Sequence, residues 1–348
     1  MTATQPAPEL RRFSQDVAAL NTRPLWERVG GTQPGSAAVP TLWRYAELRP
    51  QLMRAIGLIT AHQAERRVLM LENPGLPGTT YITNSLYCGL QVIAPGEVAP
   101  AHRHTPNALR FIIEGEGAYT TVAGERIAMR PGDFVVTPGW SWHDHGHAGI
   151  EPVVWLDALD SPFCQFFGAT FRENFPGDTH PVTRSHHDSA ARYGAGMLPV
   201  DYRPHGTDSP LLIYPYDRSR AALARVAAEG PVDPVHGVKL RYANPVTGGH
   251  PFPTMAVFLQ LLPARFAGRT CRSTDGSVFN VVEGRGRIDI EGRVFPFEPH
   301  DVFVVPPWCL YHLETDGECV LFSYSDRAAQ ERLGFWREDV EGRNSASV

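Results

Sequence analysis

Three histidines give the clearest chemical signal in this sequence: His102, His104 and His143. Side chains at positions i and i+2 of a strand point to the same face, so His102 and His104 would present two imidazoles to one cavity. His143 follows about forty residues later, after a stretch rich in Gly and Pro that can return a third imidazole to the same interior. Three neutral imidazoles suit a divalent transition metal and leave coordination positions open. The alternative is two histidines on a solvent-exposed face and an unrelated third.

The sequence around these histidines consists of short apolar runs separated by Gly and Pro, beginning at Tyr81. This alternation is typical of a small antiparallel sandwich or barrel, in which turn residues end each strand. The whole chain contains 32 Gly and 31 Pro, which favours many turns and short strands over long helices. We therefore expect the histidines to lie inside a β domain.

A second strand-rich block repeats the first. The segment FIIEGEGAYTTVAGERIAMRPGDFVVTPGWSWH (111–143) corresponds to FNVVEGRGRIDIEGRVFPFEPHDVFVVPPWCLYH (279–312). Agreement at Gly, Pro, Trp and His positions along these segments indicates two copies of one β module. By this alignment His143 corresponds to His312, and Cys271 and Ser273 occupy the other two ligand positions. We expect no catalytic metal in the second module, with a Cys/Ser/His metal site there as the alternative.

The remaining segments are predicted to be helices and connections. The predicted order is an N-terminal helical segment (1–75), a catalytic β domain (76–171), a connection with short helices (172–253), a second β domain (254–325) and a C-terminal helix and tail (326–348). Apolar spacing predicts helices at 9–29, 41–60, 185–195, 218–229 and 326–337. Pro24 and Pro50 are expected to interrupt the first two of these helices.

Composition excludes several classes of protein. The chain has 348 residues, 43% hydrophobic and 20% charged residues, which rules out a mostly disordered protein. A net charge of -5 argues against a nucleic-acid partner, which requires a basic face. We expect no membrane partner and a cytoplasmic location, because no apolar stretch approaches a membrane span and the first residues lack an apolar signal region. Five scattered Cys without a CxxC pair argue against a disulfide framework or a thiolate zinc site.

The histidine-containing segments resemble a known family. The residues that match the two cupin motifs are Gly96, His102, His104 and Gly115 for the first, and Gly132, Pro138 and His143 for the second. The usual first motif has a Glu ligand near position 108, where this chain has Ala108 and Leu109. The segments HRHTPNALRF and WSWHDHGH are similar to the gentisate 1,2-dioxygenase family, which includes salicylate and 1-hydroxy-2-naphthoate dioxygenases. The resemblance covers nearly the whole chain from about residue 40.

The resemblance implies a fold, a metal and a reaction. The expected fold is mainly β: two fused cupin barrels, of the double-stranded β-helix type, with flanking N-terminal and C-terminal helices. The expected cofactor is one iron(II) per subunit in the first barrel, held by three His ligands, with O2 as co-substrate. The expected assembly is a homotetramer. The expected reaction splits the bond between the carboxyl-bearing and hydroxyl-bearing carbons of a 2-hydroxybenzoate.

Several substrates remain open at this point. Gentisate, which would give maleylpyruvate, ranks first, and salicylate, 5-substituted salicylates and 1-hydroxy-2-naphthoate follow. A more distant alternative is an O2-independent cupin isomerase or hydrolase that uses zinc or manganese as a Lewis acid. The alternative outside enzymes is a cupin that binds a small molecule and regulates a pathway.

Four further residues are predicted to act beside the metal. Arg110 lies six residues beyond His104 and would share its inward face, where a guanidinium can grip a carboxylate through two hydrogen bonds. The resemblance implies a second substrate-binding arginine at Arg66, with its neighbour Arg67 as the alternative. His145 lies two residues after His143, could bind a substrate hydroxyl, and could act as a proton shuttle. The resemblance also implies that Asp157 orients an imidazole or an arginine.

The strand before the ligands is predicted to line the substrate pocket. By the resemblance, Gly89 and Gln91 match pocket residues, with Tyr87 nearby. Because Gly89 has no side chain, we expect extra room beside the substrate ring at this position. The alternative for these positions, and for His145, is an ordinary structural role. Arg110 could likewise be a surface residue, since 31 of the 32 basic residues are Arg and only Lys239 is Lys.

Overall fold

The computed structural model describes residues 8–28, 30–203 and 206–341. Its helices are α1 (Pro8–Ala18), α2 (Tyr45–Ile56), α3 (Ala61–Ala64), α4 (Ser161–Phe166), α5 (Asp188–Tyr193), α6 (Tyr216–Glu229) and α7 (Arg327–Leu333). The strands of the first half are β1 (Thr41–Trp43), β2 (Val68–Met70), β3 (Tyr87–Ile93), β4 (Val98–His104), β5 (Ala108–Glu114), β6 (Ala118–Val122), β7 (Glu125–Ala128), β8 (Phe134–Thr137), β9 (His143–His147), β10 (Val153–Leu159) and β11 (Arg172–Asn174). The strands of the second half are β12 (Ile213–Tyr214), β13 (Val238–Arg241), β14 (Ala256–Leu262), β15 (Cys271–Ser273), β16 (Ser277–Glu283), β17 (Gly286–Ile290), β18 (Arg293–Phe297), β19 (Val302–Val305), β20 (Tyr311–Glu314), β21 (Cys319–Ser325) and β22 (Glu338–Val340). The prediction of a mainly β protein with few helices is confirmed.

The strands form two barrels, each made of a six-stranded and a five-stranded sheet. The first barrel has the strand orders β12-β8-β5-β10-β3-β2 and β11-β4-β9-β6-β7. The second has the orders β1-β19-β16-β21-β14-β13 and β18-β17-β20-β15-β22. All the strand pairs within these sheets are antiparallel, as the short Gly- and Pro-bounded runs predicted.

Alternation along each strand separates the barrel interior from the interface between the barrels. On β5, Ala108 and Arg110 line an interior cavity, whereas Leu109 and Phe111 belong to the apolar core outside it. The Phe111 ring stacks on Phe322 of β21, with ring centroids 4.0 Å apart. One continuous apolar core therefore joins the two six-stranded sheets, while the interior of the second barrel forms a separate core.

The described residues before Ser36 (8–28 and 30–35) form a compact unit of their own. Within its described part, α1 ends at Ala18, well before the predicted end of the helix at 29, because Asn21 adopts a left-handed conformation (φ 57°). A short 3₁₀ turn (Leu25–Glu27) follows Pro24. The predicted helix therefore stops before the proline that was expected to interrupt it, and residue 29 lies outside the described residues.

The predicted helix at 41–60 is also shorter than expected. Its first residues form β1, which pairs with β19 of the second barrel, and α2 then continues through Pro50 without a break. The predicted interruption at Pro50 is wrong, because burial of Tyr45 and Leu52 holds this helix against the core. Asp301 accepts a hydrogen bond from the backbone N–H of Tyr45, which fixes the start of the helix.

Two segments contribute strands although they were predicted as a connection with short helices (172–253) and as a C-terminal helix and tail (326–348). Within 172–253, β11 pairs with β4 and β12 pairs with β8 of the first barrel, whereas β13 pairs with β14 of the second. The short helices expected there are α5 and α6. At the C-terminal end, α7 stops at Leu333 because Gly334 adopts a left-handed conformation (φ 73°), and β22 then pairs with β15. Residues 342–348 of the predicted tail lie outside the described residues.

Candidate active site

The three predicted ligands converge inside the first barrel. His102 and His104 lie at the end of β4, and His143 begins β9, which pairs directly with β4 opposite His102. The imidazole centroids are 4.6 Å (His102 to His143), 4.9 Å (His104 to His143) and 5.4 Å (His102 to His104) apart. One candidate ligand atom from each ring lies within 4.8 Å of the other two. This spacing suits three ligands around one metal ion.

Hydrogen bonds to backbone carbonyls fix the orientation of two of the rings. His104 Nδ1 lies 2.8 Å from the carbonyl oxygen of Pro106, and His143 Nδ1 lies 2.9 Å from that of Ser141. A carbonyl only accepts, so Nδ1 of each ring carries the proton and Nε2 keeps its lone pair. Nε2 of His143 is buried and has no hydrogen-bond partner among the described residues. These donor atoms therefore fit a divalent metal.

The site keeps its imidazoles neutral, as metal binding requires. Burial, with further repulsion from Arg66, lowers the pKa of His102 to about 2. Burial lowers the pKa of His104 to about 4, and it holds the pKa of His143 well below 6.5. At neutral pH all three rings therefore offer a lone pair rather than a charge.

Arg66, not Arg67, reaches this site. The Arg66 guanidinium lies 3.0 Å from His102 Nδ1. Arg67 instead is buried on the opposite side, where it binds both carboxylate oxygens of Glu97. Because a guanidinium only donates, His102 Nδ1 must accept from Arg66, and a neutral ring then has its proton on Nε2. Arg66 must therefore leave His102 when that ring binds a metal.

Arg110 and Asp157 form a buried charged pair in the same cavity. The two residues lie opposite each other on β5 and β10, and Arg110 Nε is 3.6 Å from Asp157 Oδ1. That distance is too long for a hydrogen bond, and neither atom has another partner in the described part of the chain. Thr137 accepts a hydrogen bond from the other end of the guanidinium. Burial raises the pKa of Asp157, although Arg110 and Arg66 oppose that shift.

A cavity of about 320 Å³ joins these groups to the surface. Of the predicted residues, its lining includes His102, His104, His143, Arg66, Arg110, Asp157 and Tyr87. Burial and the nearby Asp157 carboxylate raise the pKa of Tyr87, so its hydroxyl stays protonated and can donate a hydrogen bond. The predicted residues therefore bring a three-histidine cluster, two guanidinium groups and a phenol to the cavity.

Three predicted site residues do not line this cavity. Gly89 is covered by its neighbours: a Cβ added there would lie 2.4 Å from Val68 Cγ1 and 2.8 Å from the Tyr87 hydroxyl oxygen. The expected extra room beside Gly89 is therefore filled by Val68 and Tyr87. Gln91 and His145 are buried in the barrel interior, at 1% and 0% exposure. Gln91 Oε1 and both ring nitrogens of His145 lack hydrogen-bond partners within the described ranges.

Several lining residues were not found from the sequence. They are Ala64, Glu65, Val68, Ala108, Leu159, Ser161 and Arg172. Leu159 follows Asp157 by two residues on β10, so strand alternation was a usable signal for it. Glu65 and Arg172 carried no such signal, because Arg is abundant in this chain and β11 lacks an alternating apolar pattern.

The second barrel places Tyr311, and not His312, at the position of His143. Tyr311 pairs with Cys271 just as His143 pairs with His102. His312 lies on the other face of β20, where its Nε2 is 3.2 Å from a carboxylate oxygen of Glu314. The predicted correspondence of His143 with His312 is therefore wrong by one residue, which moves the side chain to the opposite face of the strand. Tyr311 instead is hydrogen-bonded to the Cys271 thiol inside the barrel.

Known proteins resemble this chain in both sequence and fold. Residues 89–159 match the cupin domain family, so the predicted cupin fold is confirmed. The chain is 49% identical over 333 residues to gentisate 1,2-dioxygenase 1 of Aquipseudomonas alcaligenes, a match that covers 95% of this chain and 96% of that protein. The chain belongs to the gentisate 1,2-dioxygenase family.

Other members of the gentisate 1,2-dioxygenase family are named for different ring substrates. A 5-aminosalicylate 1,2-dioxygenase of Comamonas sp is 34% identical over 95% of this chain and 90% of its own length. The crystal structure of a salicylate 1,2-dioxygenase from Pseudaminobacter salicylatoxidans has a TM-score of 0.90 at 34% identity, covering 98% of this chain and all of that one. Family membership therefore confirms the predicted enzyme class, ring-cleaving 1,2-dioxygenase, as well as the predicted resemblance. Among the described residues, no helix combines the length and the apolar character needed to cross a bilayer.

Proposed function

We propose that this protein is an iron(II)-dependent dioxygenase that uses O2 to split the bond between the carboxyl- and hydroxyl-bearing carbons of a 2-hydroxybenzoate. Gentisate is the first substrate proposed, with salicylate, 5-substituted salicylates and 1-hydroxy-2-naphthoate as the alternatives. The observation that carries the proposal is the position of Arg66 and Arg110 beside the three-histidine cluster in one cavity. Such a cavity selects an anion that also reaches the metal.

His102, His104 and His143 would hold the iron through three neutral imidazoles. Bound iron(II) supplies the electron transfer that allows O2 to react with an aromatic ring. Three ligands from the protein leave room for a chelating carboxylate and ortho hydroxyl and for O2. His102 and His143 are buried, so charge interactions with the substrate beside them are stronger than in bulk water.

The two guanidinium groups have complementary tasks. Arg110 is held by Thr137 and faced by Asp157, so its position is fixed before substrate arrives. Its Nε is free to bind a carboxylate oxygen. Arg66 must leave His102 when iron binds, and the substrate carboxylate offers it a new partner. Burial and the nearby Arg110 charge lower the pKa of Arg66 to about 9, so an anionic ligand is favoured there.

Tyr87 and His145 are the proposed hydrogen-bonding and proton-handling groups. The Tyr87 hydroxyl borders the cavity and can donate to the substrate. His145 lies two residues beyond His143 on β9, and its ring nitrogens, which have no hydrogen-bond partner in the part of the chain that the structure describes, can take part in proton transfer behind the cluster. Gln91 and Gly89 are proposed to shape the cavity wall indirectly, by positioning the residues that line it. The cavity volume, near the lower end for ligand sites, favours a single-ring substrate.

The assembly and location are also proposals. We propose a homotetramer in the cytoplasm, with no nucleic-acid or membrane partner. All five thiols are free, as suits a reducing compartment.

Oxygen uptake by the iron(II)-loaded enzyme tests the function. We expect consumption of one O2 per gentisate, and an anaerobic titration in which gentisate alters the iron spectrum before O2 is added. Salicylate, 5-nitrosalicylate and 1-hydroxy-2-naphthoate measured in parallel will rank the substrates. The zinc-loaded protein is the control and should consume no O2. Absence of uptake with every hydroxybenzoate, or turnover of a substrate without O2, would overturn the proposal.

A further inference from the structure

Arg172 lies on the rim of the cavity, on the same side of the sheet as the metal cluster. It begins β11, the edge strand beside β4, and it pairs directly with His104. Paired residues of antiparallel strands present their side chains to the same face, so Arg172 shares the face of His104. Glu173, one residue later, faces the other way and binds Arg103. Arg172 is thus a third guanidinium at the cavity, farther out than Arg66 and Arg110.

Glu65 binds Arg172 from the opposite side of the rim. The Arg172 guanidinium donates to the Glu65 carboxylate, and both residues line the cavity. The two side chains are 47% and 48% exposed. An ion pair this exposed contributes little to stability, because water and salt screen it. Another carboxylate can therefore replace Glu65 at little cost in free energy.

The backbone around Glu65 directs consecutive side chains to different places. Helix α3 begins with a capping box between Thr60 and Gln63, and it ends at Ala64, with Glu65 as its C-cap. Glu65 has φ 54° and ψ -48°, and the N–H of Arg66 lies 2.5 Å from the carbonyl oxygen of Ala64, which closes a three-residue γ-turn. This tight turn sends Glu65 to the rim and Arg66 to His102. One turn therefore places both the partner of Arg172 and the arginine that contacts His102.

The arginines along this path become less exposed from the rim of the cavity to the histidine cluster. Arg172 is exposed and paired with a replaceable carboxylate, Arg66 borders His102, and Arg110 is 2% exposed. Glu65 and Asp157 are the acidic residues of the lining against these three arginines. A positive path between low-dielectric walls attracts an anion and raises its association rate.

We propose that Arg172 captures the carboxylate of the incoming substrate by binding it in place of the Glu65 carboxylate. The substrate carboxylate then moves inward to Arg66 and Arg110. Arg172 is thus a substrate-binding residue of the access path, and Glu65 is the internal anion that competes with substrate for it. The identity of the anion, a hydroxybenzoate, rests on the proposed function. The capture step itself requires only an aromatic carboxylate and no O2.

Association kinetics test this role directly. Stopped-flow fluorescence would follow gentisate binding to the iron(II)-loaded enzyme without O2, over a range of ionic strength. We expect Arg172→Gln to lower the association rate constant about tenfold at low ionic strength and to flatten its salt dependence. Glu65→Gln should raise the same rate constant, because it removes the competing carboxylate. The dissociation rate constant of Arg172→Gln should change less than its association rate constant, because the residue acts on the incoming anion before it reaches Arg66 and Arg110.

Matched variants separate this role from general damage. Arg192→Gln removes an arginine from another exposed ion pair, and Glu173→Gln removes a carboxylate from the opposite face of the strand pair. Both should bind gentisate at the wild-type rate. Arg172→Lys keeps the charge and should retain most of the salt dependence. If Arg172→Gln associates as fast as Arg192→Gln, or Arg172→Lys is as slow as Arg172→Gln, the proposal is overturned.

The measurement also separates this inference from the proposed function. Salicylate binding without O2 serves as a second probe. If the wild-type enzyme binds both anions faster than Arg172→Gln does but consumes no O2, the proposed function is overturned and the capture step is supported. If the enzyme consumes O2 but Arg172→Gln binds gentisate at the wild-type rate, the function is supported and the capture step is overturned.

Discussion

The hydroxyl of Tyr324 in the second barrel donates a 3.1 Å hydrogen bond to the backbone carbonyl of Tyr87 in the wall of the cavity. Tyr324 is 1% exposed, and Phe322, two residues earlier, stacks on Phe111 beside Arg110. The second barrel thus supports two strands that carry cavity residues. Among the described residues, no side chain of the second barrel lines the cavity, and the barrel instead packs against the strands that do.

Removal of the Tyr324 hydroxyl should weaken that support. We expect Tyr324→Phe to lower the free energy of unfolding by about 1 kcal/mol, because the buried hydrogen bonds of the hydroxyl to the Tyr87 carbonyl and the Cys88 thiol are lost. We also expect a raised KM for gentisate, because the strand that carries Tyr87 is less firmly held. Tyr311→Phe is the control, since its hydroxyl bonds Cys271 inside the second barrel. It should lose stability without a change in KM, and equal KM values for the two variants would contradict the prediction.

Histidine replacements should distinguish the two barrels. We expect His143→Gln to lose bound iron and all O2 uptake, because one of three ligands is removed. His312→Gln should keep the wild-type iron content and activity, since His312 faces away from the interior of the second barrel. Iron per subunit, measured by elemental analysis, checks both variants. Loss of iron in His312→Gln would contradict the assignment of Tyr311 to the interior.

Asp157→Asn should reduce activity while iron stays bound. The carboxylate faces Arg110 at 3.6 Å and is not one of the ligands, so its loss leaves the guanidinium without its buried counter-charge. We expect kcat/KM to fall about 10- to 100-fold, as for other residues that orient groups beside a metal. Asp208→Asn is the control, because Asp208 is also mostly buried but does not line the cavity. Similar losses in both variants would indicate general instability instead.

The metal-free protein should lose stability as the pH falls. In the unfolded chain His102 and His104 take up protons near pH 6.5, whereas in the folded protein their pKa values are about 2 and about 4. Between these limits the unfolded state binds more protons, so the free energy of unfolding decreases as the pH is lowered from about 7 toward 4. Thermal unfolding at several pH values checks this, and His104→Gln should show a smaller decrease. An identical pH dependence in that variant would contradict the prediction.

A methyl group at Gly89 should disturb the cavity wall. The added Cβ of Gly89→Ala would overlap Val68 and approach the Tyr87 hydroxyl, so one of these side chains must move into the cavity or away from it. We expect the preference for gentisate over 1-hydroxy-2-naphthoate to change by several-fold, with the iron content unchanged. Competition between the two substrates gives the ratio of their kcat/KM values directly. A ratio equal to that of wild type would show that Tyr87 and Val68 adjust without consequence.

The fold and the metal cluster could be predicted because their signals are local. His102 and His104 reveal a shared strand face, and the internal repeat reveals two barrels. The pairing of Cys271 with Tyr311 could not be predicted, because sequence alignment tolerates a shift of one residue and strand geometry does not.

The residues of the outer part of the cavity could not be predicted from the sequence for a different reason. The space beside Gly89 is filled by Val68, which arrives from a strand about twenty residues away in sequence. The ion pair of Glu65 with Arg172 joins two segments more than a hundred residues apart. Their meeting depends on tertiary packing, and neither segment has a period that predicts it.

The shared core between the barrels has a consequence for protein engineering. A shortened enzyme that kept only the first 171 residues would expose the apolar face around Phe111 to solvent and would aggregate. Libraries for new substrates should accordingly include positions such as Phe322, which lies outside the cavity lining. Stepwise substitutions in the six-stranded sheet of the second barrel can then alter substrate preference while every residue that lines the cavity keeps its native identity.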